Sequence, residues 1–205
     1  MKALVTGFDP FGGDAINPSY EAVRRLPALV LARAGNLQVV SAELPTSFAR
    51  APRKLRALMV REQPDIVLCV GLAADRPVIS VERVAINLSD ARIADNDGAK
   101  PRDRPVVARA PAAYFSSLPV MKIVKGLDQA GISAESSTSA GTFVCNHVFY
   151  GLMHIAGTSK RKFLAGFVHV PGLPAGRNDH QAKLNEWVTG LIVVLEVTRR
   201  HFEKS

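Results

Sequence analysis

Pro64-Asp65-Ile66-Val67-Leu68-Cys69-Val70-Gly71 decides the fold, because five apolar residues follow one another without interruption between an aspartate and a glycine. A strand with one wet face alternates apolar and polar residues, whereas an unbroken run suits a strand covered on both faces, as in a parallel sheet between helices. The stretch before it, Ser47 to Gln63, is rich in the helix formers Ala, Arg, Leu, Lys and Met; Pro52 falls in its first turn, where a missing N–H costs little, and Pro64 stops it. Helix followed by buried strand is half of a parallel crossover unit.

The same alternation recurs on both sides. Lys2 to Thr6 reads as a strand that runs into the turn Gly7-Phe8-Asp9-Pro10-Phe11-Gly12-Gly13, and helical periodicity follows from about Asn17 until Pro27. Leu37 to Ala42 is a second strand, and Val78 to Ile86 a further β-rich run. Leu88 to Pro111 is polar and without a period, a long excursion of the kind that usually serves function. Val120 to Ala130 reads as a helix closed by Gly131, Phe143 to Ala156 as a helix closed by Gly157, Phe163 to Val170 as a strand ended by Pro171, and Asp179 to Phe202 as a long amphipathic helix. The expected fold is α/β, one domain over residues 1–205 built as a three-layer α/β/α sandwich around a mostly parallel, twisted central sheet. The loops Gly7 to Gly13, Gly71 to Pro77 and Pro171 to Arg177 follow strands, so they are expected to converge at the functional edge.

Composition narrows the function classes. With 47% hydrophobic and 21% charged residues, the chain is ordinary for a globular protein. No stretch approaches the roughly 20 apolar residues of a bilayer span, and the start reaches Gly7 and Asp9 too soon for a signal peptide, so a cytoplasmic location and no membrane partner are expected. The net charge of +8 raises the question of nucleic acid. The basic residues are scattered, however, and the densest cluster, Lys160-Arg161-Lys162, is short and lacks interleaved aromatics, so no nucleic-acid partner is expected. There is no His-Glu-x-x-His and no paired-cysteine motif, and the loop Gly7 to Gly13 has neither the Walker lysine nor dinucleotide spacing, so neither metal nor cofactor is expected.

The two cysteines, Cys69 and Cys145, read singly in a reducing compartment. Cys69 is filler in an apolar run. Cys145 follows Ser137-Thr138-Ser139-Ala140-Gly141-Thr142-Phe143-Val144, which puts it in or near the first turn of a helix, where free N–H groups and the dipole favour a thiolate. It is either a nucleophile or a cysteine packed on a core face. A thiolate nucleophile wants a histidine within reach. His201 lies in the polar tail, His147 and His154 share a face of the helix bearing Cys145, and His180 competes only from a loop. His169 closes the apolar strand just before Val170-Pro171-Gly172, the strand-end position where catalytic groups gather. Glu82, an acid inside the β-rich run Ile79 to Asn87, is either the carboxylate that orients an imidazole or the partner of Arg83 or another basic side chain.

Taken together, several segments resemble pyrrolidone-carboxylate peptidases, also called pyroglutamyl peptidase type I. They are Gly7 to Gly13 with Asn17-Pro18-Ser19, Gly71 to Asn87 centred on Glu82-Arg83-Val84-Ala85-Ile86-Asn87, Ser137 to Asn146, and Val168-His169-Val170-Pro171. The resemblance implies Cys145 as nucleophile, His169 as acid and base, Glu82 as third member of the triad and, through Asp90-Ala91-Arg92-Ile93, Arg92 as an oxyanion ligand. It also implies that Phe8 and Phe11 sandwich a lactam ring, with Asn17 and the backbone near Leu72, Phe143 and Val144 completing the pocket. The implied substrates are peptides with an N-terminal pyroglutamyl residue, and the implied assembly is a homotetramer. The chain departs from many bacterial members, which carry Gln-Ala-Gly-Gly-Arg where it has Leu72-Ala73-Ala74-Asp75-Arg76 and Pro where it has Ala94; Gly172-Leu173-Pro174-Ala175-Gly176 is also atypical. Two other readings remain: another thiol amidase on the same scaffold, and a non-catalytic binding protein that retains the fold.

Overall fold

The computed structural model describes residues 1–33, 37–174 and 177–204. In chain order its elements are β1 (Lys2–Phe8), α1 (Pro18–Val23), α2 (Leu26–Arg33), β2 (Gln38–Leu44), α3 (Arg50–Glu62), β3 (Ile66–Leu72), β4 (Ile79–Glu82), β5 (Val84–Ile86), β6 (Ala113–Phe115), α4 (Val120–Gln129), β7 (Ala134–Ser137), α5 (Val144–Thr158), β8 (Leu164–Val170) and α6 (Arg177–Phe202). The main sheet has the order β2-β1-β3-β8-β4-β7, parallel at every neighbouring pair except β8 with β4. Strands β5 and β6 form a separate antiparallel ribbon.

Two buried clusters flank the sheet. Ala3, Val5, Leu68, Val70, Val168 and Val170 pack against residues of α1, α2, α4 and α6, Trp187 among them. Leu4, Phe8, Val67, Cys69, Ala165 and Phe167 pack on the opposite face against α3 and α5. Successive strand residues point to opposite faces, so an apolar run such as Ile66 to Val70 feeds both clusters at once, which is the three-layer arrangement expected of it. Among the described residues no helix is long and apolar enough to cross a membrane.

Element boundaries differ from the sequence expectation in instructive places. Pro27 ends no helix. It occupies the second position of α2, where its missing N–H is tolerated, and the break falls earlier, after Val23. Gly157 does not close α5, which continues to Thr158, because packing along the helix outweighs the modest penalty of one glycine. The run Val78 to Ile86 splits at Arg83 and its halves enter different sheets. Two short strands were not expected: β6 begins just past the polar excursion, and β7 is largely Ser and Glu at the sheet edge, where no apolar pattern is required.

Helix α1 lies against β1 at backbone contact. A Cβ on Gly7 would stand 2.5 Å from the Tyr20 Cα and 2.7 Å from the Ser19 carbonyl carbon, atoms that cannot rotate aside. Gly151, within α5, has nothing within 4 Å of the same construction. We therefore expect Gly7→Ala to cost about 2–3 kcal/mol and to lower Tm by roughly 4–12 °C, while Gly151→Ala gains about 0.5–1 kcal/mol. Thermal or urea unfolding of the two variants checks the contrast, and equal effects would contradict the close α1–β1 contact.

Candidate active site

Strand parity brings the candidate residues to one face. His169 alternates with Phe167 and Ala165, whose side chains belong to the cluster under α5, so the imidazole points to the α5 side of β8. In β4, Ile79 and Val81 belong to the opposite cluster, which leaves Ser80 and Glu82 on the α5 side. Because β4 runs antiparallel to β8 with Ser80 opposite His169, Glu82 is the diagonal same-face neighbour of His169.

The pair is in contact. His169 Nδ1–H donates to Glu82 Oε1 at 2.8 Å, and both residues are buried. A carboxylate can only accept, so this bond fixes the proton on Nδ1 and presents Nε2 as the free lone pair. A second donor reaches the same oxygen: Arg76 Nη1 lies 2.6 Å from Glu82 Oε1. A fully buried carboxylate needs such partners. Its neighbour in sequence, Arg83, is not one of them; the basic partner is Arg76, in the loop after β3, which sequence reasoning left without a role. Glu82 Oε2 has no hydrogen-bond partner among the described residues.

Cys145 is the second residue of α5. The helix begins at Val144 with Phe143 as N-cap and no side chain capping its first turn, so backbone N–H groups remain free at that end. Gly141, at φ 73, turns the chain into it through a conformation that favours glycine. Asn146 anchors the helix start from behind, donating to the carbonyls of Ile86 and Leu88 and accepting from the Ile86 N–H. The sulfur occupies a gap that the neighbouring strand leaves open. Gly71 pairs in register with His169, and a Cβ on Gly71 would stand 2.9 Å from Cys145 Sγ. The thiol thus takes the space of a missing side chain beside the imidazole.

Two influences act on this thiol in opposite directions. Burial, with the Glu82 carboxylate nearby, pushes it up to about 12, although Arg76 acts in the opposite direction. A helix terminus offers about 0.3–1 kcal/mol, less than one pH unit, and burial shifts of several units exceed it. A thiol raised in this way needs a base to take its proton. Cys69, fully buried, is likewise pushed up to about 12 by desolvation. It differs in access, since Cys145 is partly exposed.

Cys145 and His169 open on one cavity of about 230 Å³. Phe8, Phe11, Asn17, Leu72, Phe143, Val144 and Arg92 all line it, so the structure gathers every residue expected there except Glu82, which sits behind His169. Phe8 packs on Phe167 with ring centroids 6.4 Å apart; Phe11 lies 6.1 Å from Phe143, which Phe48 braces edge-on at 5.4 Å. Asn17 caps α1: its Oδ1 accepts from the Ser19 N–H and hydroxyl, and its Nδ2 donates to the Asp9 carbonyl, so it holds the Phe8–Phe11 turn in shape. Arg92 is exposed and pairs with no described residue. Thr46, Asp75, Ala140 and Gly141 also line the cavity; Thr46 gives no signal in sequence, since its place depends on its N–H bond to Asp9 across the β1–β2 edge.

The other histidines stand apart. His147 bonds Ser89, with burial holding it down at about 4, His154 bonds the Tyr114 hydroxyl, and His180 lies in α6 and not in a loop. Of the three strand-end loops, two line the cavity. Pro171 to Pro174 instead line an adjoining groove of about 370 Å³ that shares Arg76 with it, while Ala175 and Gly176 of the atypical segment lie outside the described residues. Among the described residues no three His, Cys, Asp or Glu side chains gather as metal ligands would.

Known proteins share this arrangement of chain. A family model described as pyroglutamyl peptidase matches residues 1–200. The pyrrolidone-carboxylate peptidase of Thermosipho melanesiensis is 50% identical over 171 residues, 83% of each chain. Pyrrolidone-carboxylate peptidase 1 of Ralstonia nicotianae is 47% identical over 204 residues, 98% of this chain and 94% of the relative. Among solved structures, pyroglutamyl peptidase I of Bacillus amyloliquefaciens superposes with a TM-score of 0.90 at 41% identity, covering 98% of both chains. A mutant pyrrolidone carboxyl peptidase of Pyrococcus furiosus gives 0.90 at 40%, covering 98% of this chain and 99% of its own.

The geometry predicts unequal thiols. Iodoacetamide should modify Cys145 in the folded protein and spare Cys69. Gly71→Ala, whose new methyl also meets the Phe167 ring at 2.8 Å, should displace the sulfur and slow Cys145 modification by about 10-fold or more. Peptide mass mapping reads both rates; a Gly71→Ala variant alkylated as fast as wild type would show that the sulfur does not need that gap.

Proposed function

Because the chain belongs to the pyroglutamyl peptidase family, we propose that it hydrolyses the amide bond after an N-terminal pyroglutamyl residue, with Cys145 as nucleophile. The observation that carries this reading is one small cavity that holds a helix-start thiol and a carboxylate-oriented imidazole beneath aromatic walls. A pyroglutamyl residue has no free α-amine to be read by an acid; its neutral flat ring suits Phe8, Phe11 and Phe143, with backbone groups near Leu72 and Phe143 to meet the lactam N–H and C=O.

The reaction follows from the proton positions. Nε2 of His169 takes the Cys145 proton as Sγ attacks the acyl carbon, and Glu82 stabilises the imidazolium through the Nδ1–H bond. The oxyanion forms near the free N–H groups at the start of α5 and near Arg92. Collapse of the tetrahedral species breaks the C–N bond, and His169 returns its proton to the leaving amine. The thioester is then hydrolysed by a water that His169 deprotonates, which regenerates the thiol. The chemistry requires no metal or organic cofactor.

Turnover of a chromogenic pyroglutamyl amide beside the matching prolyl amide tests the reading. Cleavage of the first with little of the second is expected; equal rates would point to a broader thiol amidase. Cys145→Ala should lose roughly 10⁴-fold or more in kcat and Cys69→Ala little. Glu82→Gln should lose at least about 100-fold, since the imidazole loses its orientation while the nucleophile remains. An active Cys145→Ala enzyme would sink the assignment. Phe11→Ala removes one ring face from the cavity lining, and KM for the pyroglutamyl amide should rise about 3- to 10-fold with some fall in kcat. Unchanged constants and unchanged discrimination would place the lactam elsewhere.

A further inference from the structure

We infer that Arg76 is a positioning residue for acyl transfer: it ties the Glu82–His169 pair to the loop that feeds Cys145, and it opposes retention of a second proton by that pair. The inference rests on the Cys145–His169–Glu82 reading above.

Arg76 sits between β3 and β4, with its own N–H bonded to the Ala73 carbonyl, and its side chain is mostly covered. One arm of the guanidinium meets Glu82 Oε1 at 2.6 Å; the other meets the Ser139 carbonyl at 2.6 Å. An arginine that neutralises a carboxylate frequently engages both of its oxygens in parallel. Here Oε2 is left without a partner and the second arm goes instead to the β7–α5 loop. That loop is braced within itself by the Ser137 and Ser139 hydroxyls, and its Ala140 and Gly141 form the cavity wall before Cys145. Among the described residues, Arg76 thus bonds both the strand that carries Glu82 and the segment that aims the nucleophile.

The electrostatic consequence follows from the shared oxygen. A cation on Oε1 draws on the same lone-pair density that receives His169 Nδ1–H, so an imidazolium is less well held there and the imidazole stays available as a base. The same cation favours the Cys145 thiolate. The other ionisable groups facing the triad are Arg92 and Asp75 on the cavity wall, Cys69 beneath the thiol, and Glu135, which Ser80 binds across β4 and β7. All are retained when Arg76 alone is changed, so a shift on substitution reports Arg76.

The experiment compares Arg76→Gln and Arg76→Lys with wild type in the pH profile of kcat/KM for a pyroglutamyl amide and in the rate of Cys145 alkylation by iodoacetamide. With Gln the cation is gone: the acid limb should move to higher pH by about one unit, and alkylation at pH 7 should slow about 10-fold. With Lys the charge returns but one ammonium cannot replace the two-armed fork, so the limb should sit at its wild-type position while KM rises several-fold through the loosened loop. The inference is overturned if Arg76→Gln leaves the acid limb and alkylation unchanged, even where kcat falls. Should Arg76→Gln lose its native circular dichroism, the Lys variant decides alone: a displaced acid limb or an unchanged KM overturns the inference. Alkylation does not depend on turnover, so a wild-type enzyme that fails to cleave pyroglutamyl amides would defeat the peptidase reading and leave the Arg76 comparison standing.

Discussion

A fully buried carboxylate governs this site. Glu82 stands inside the sheet with no exposure to solvent, and an ionised acid there is tolerable only with donors on it. His169 and Arg76 supply them on a single oxygen. Much else follows from that requirement. The antiparallel turn of β4 against β8 makes Glu82 and His169 diagonal neighbours; the loop after β3 must fold back to deliver Arg76; and the imidazole, held through Nδ1, leaves Nε2 for the cavity. Removing either donor would leave the buried carboxylate with one partner in place of two.

The thiol is set by a different constraint, that of space. A continuous sheet under α5 would ordinarily fill the position beside His169 with a side chain. Gly71 leaves it vacant, and Cys145 enters from the helix above. Asn146, the next residue, fixes the depth of entry by holding three backbone groups of the β5 end. The burial that results acts against ionisation of the thiol, so on the reading proposed above His169 takes its proton as the sulfur attacks. The helix dipole contributes, but it is too weak to set the resting state.

How far the sequence discloses this depends on whether a residue's role is local. Buried strands announce themselves through apolar runs, and the placement of His169 at a strand end and of Cys145 at a helix start follows from a few neighbouring residues each. The layered fold was legible for the same reason. The partnership of Glu82 with His169 was not, since residues 87 positions apart meet only through a reversed strand; resemblance to a family supplied it. Arg76 carried no local signal at all, because its importance lies in two acceptors on other elements. Strands β6 and β7 escaped because edge and ribbon strands need no apolar pattern, and the space that Gly71 leaves for the sulfur depends on a helix 74 positions away in the chain.

On the reading proposed above, Cys145 carries the acyl group. Rapid acid quench during turnover of an activated pyroglutamyl ester, followed by peptide mass mapping, addresses it directly. A pyroglutamyl thioester is expected on the peptide that contains Cys145, absent from Cys145→Ala and discharged on further incubation. Turnover with no adduct under conditions where acylation outruns hydrolysis, or an adduct on Cys69, would contradict it.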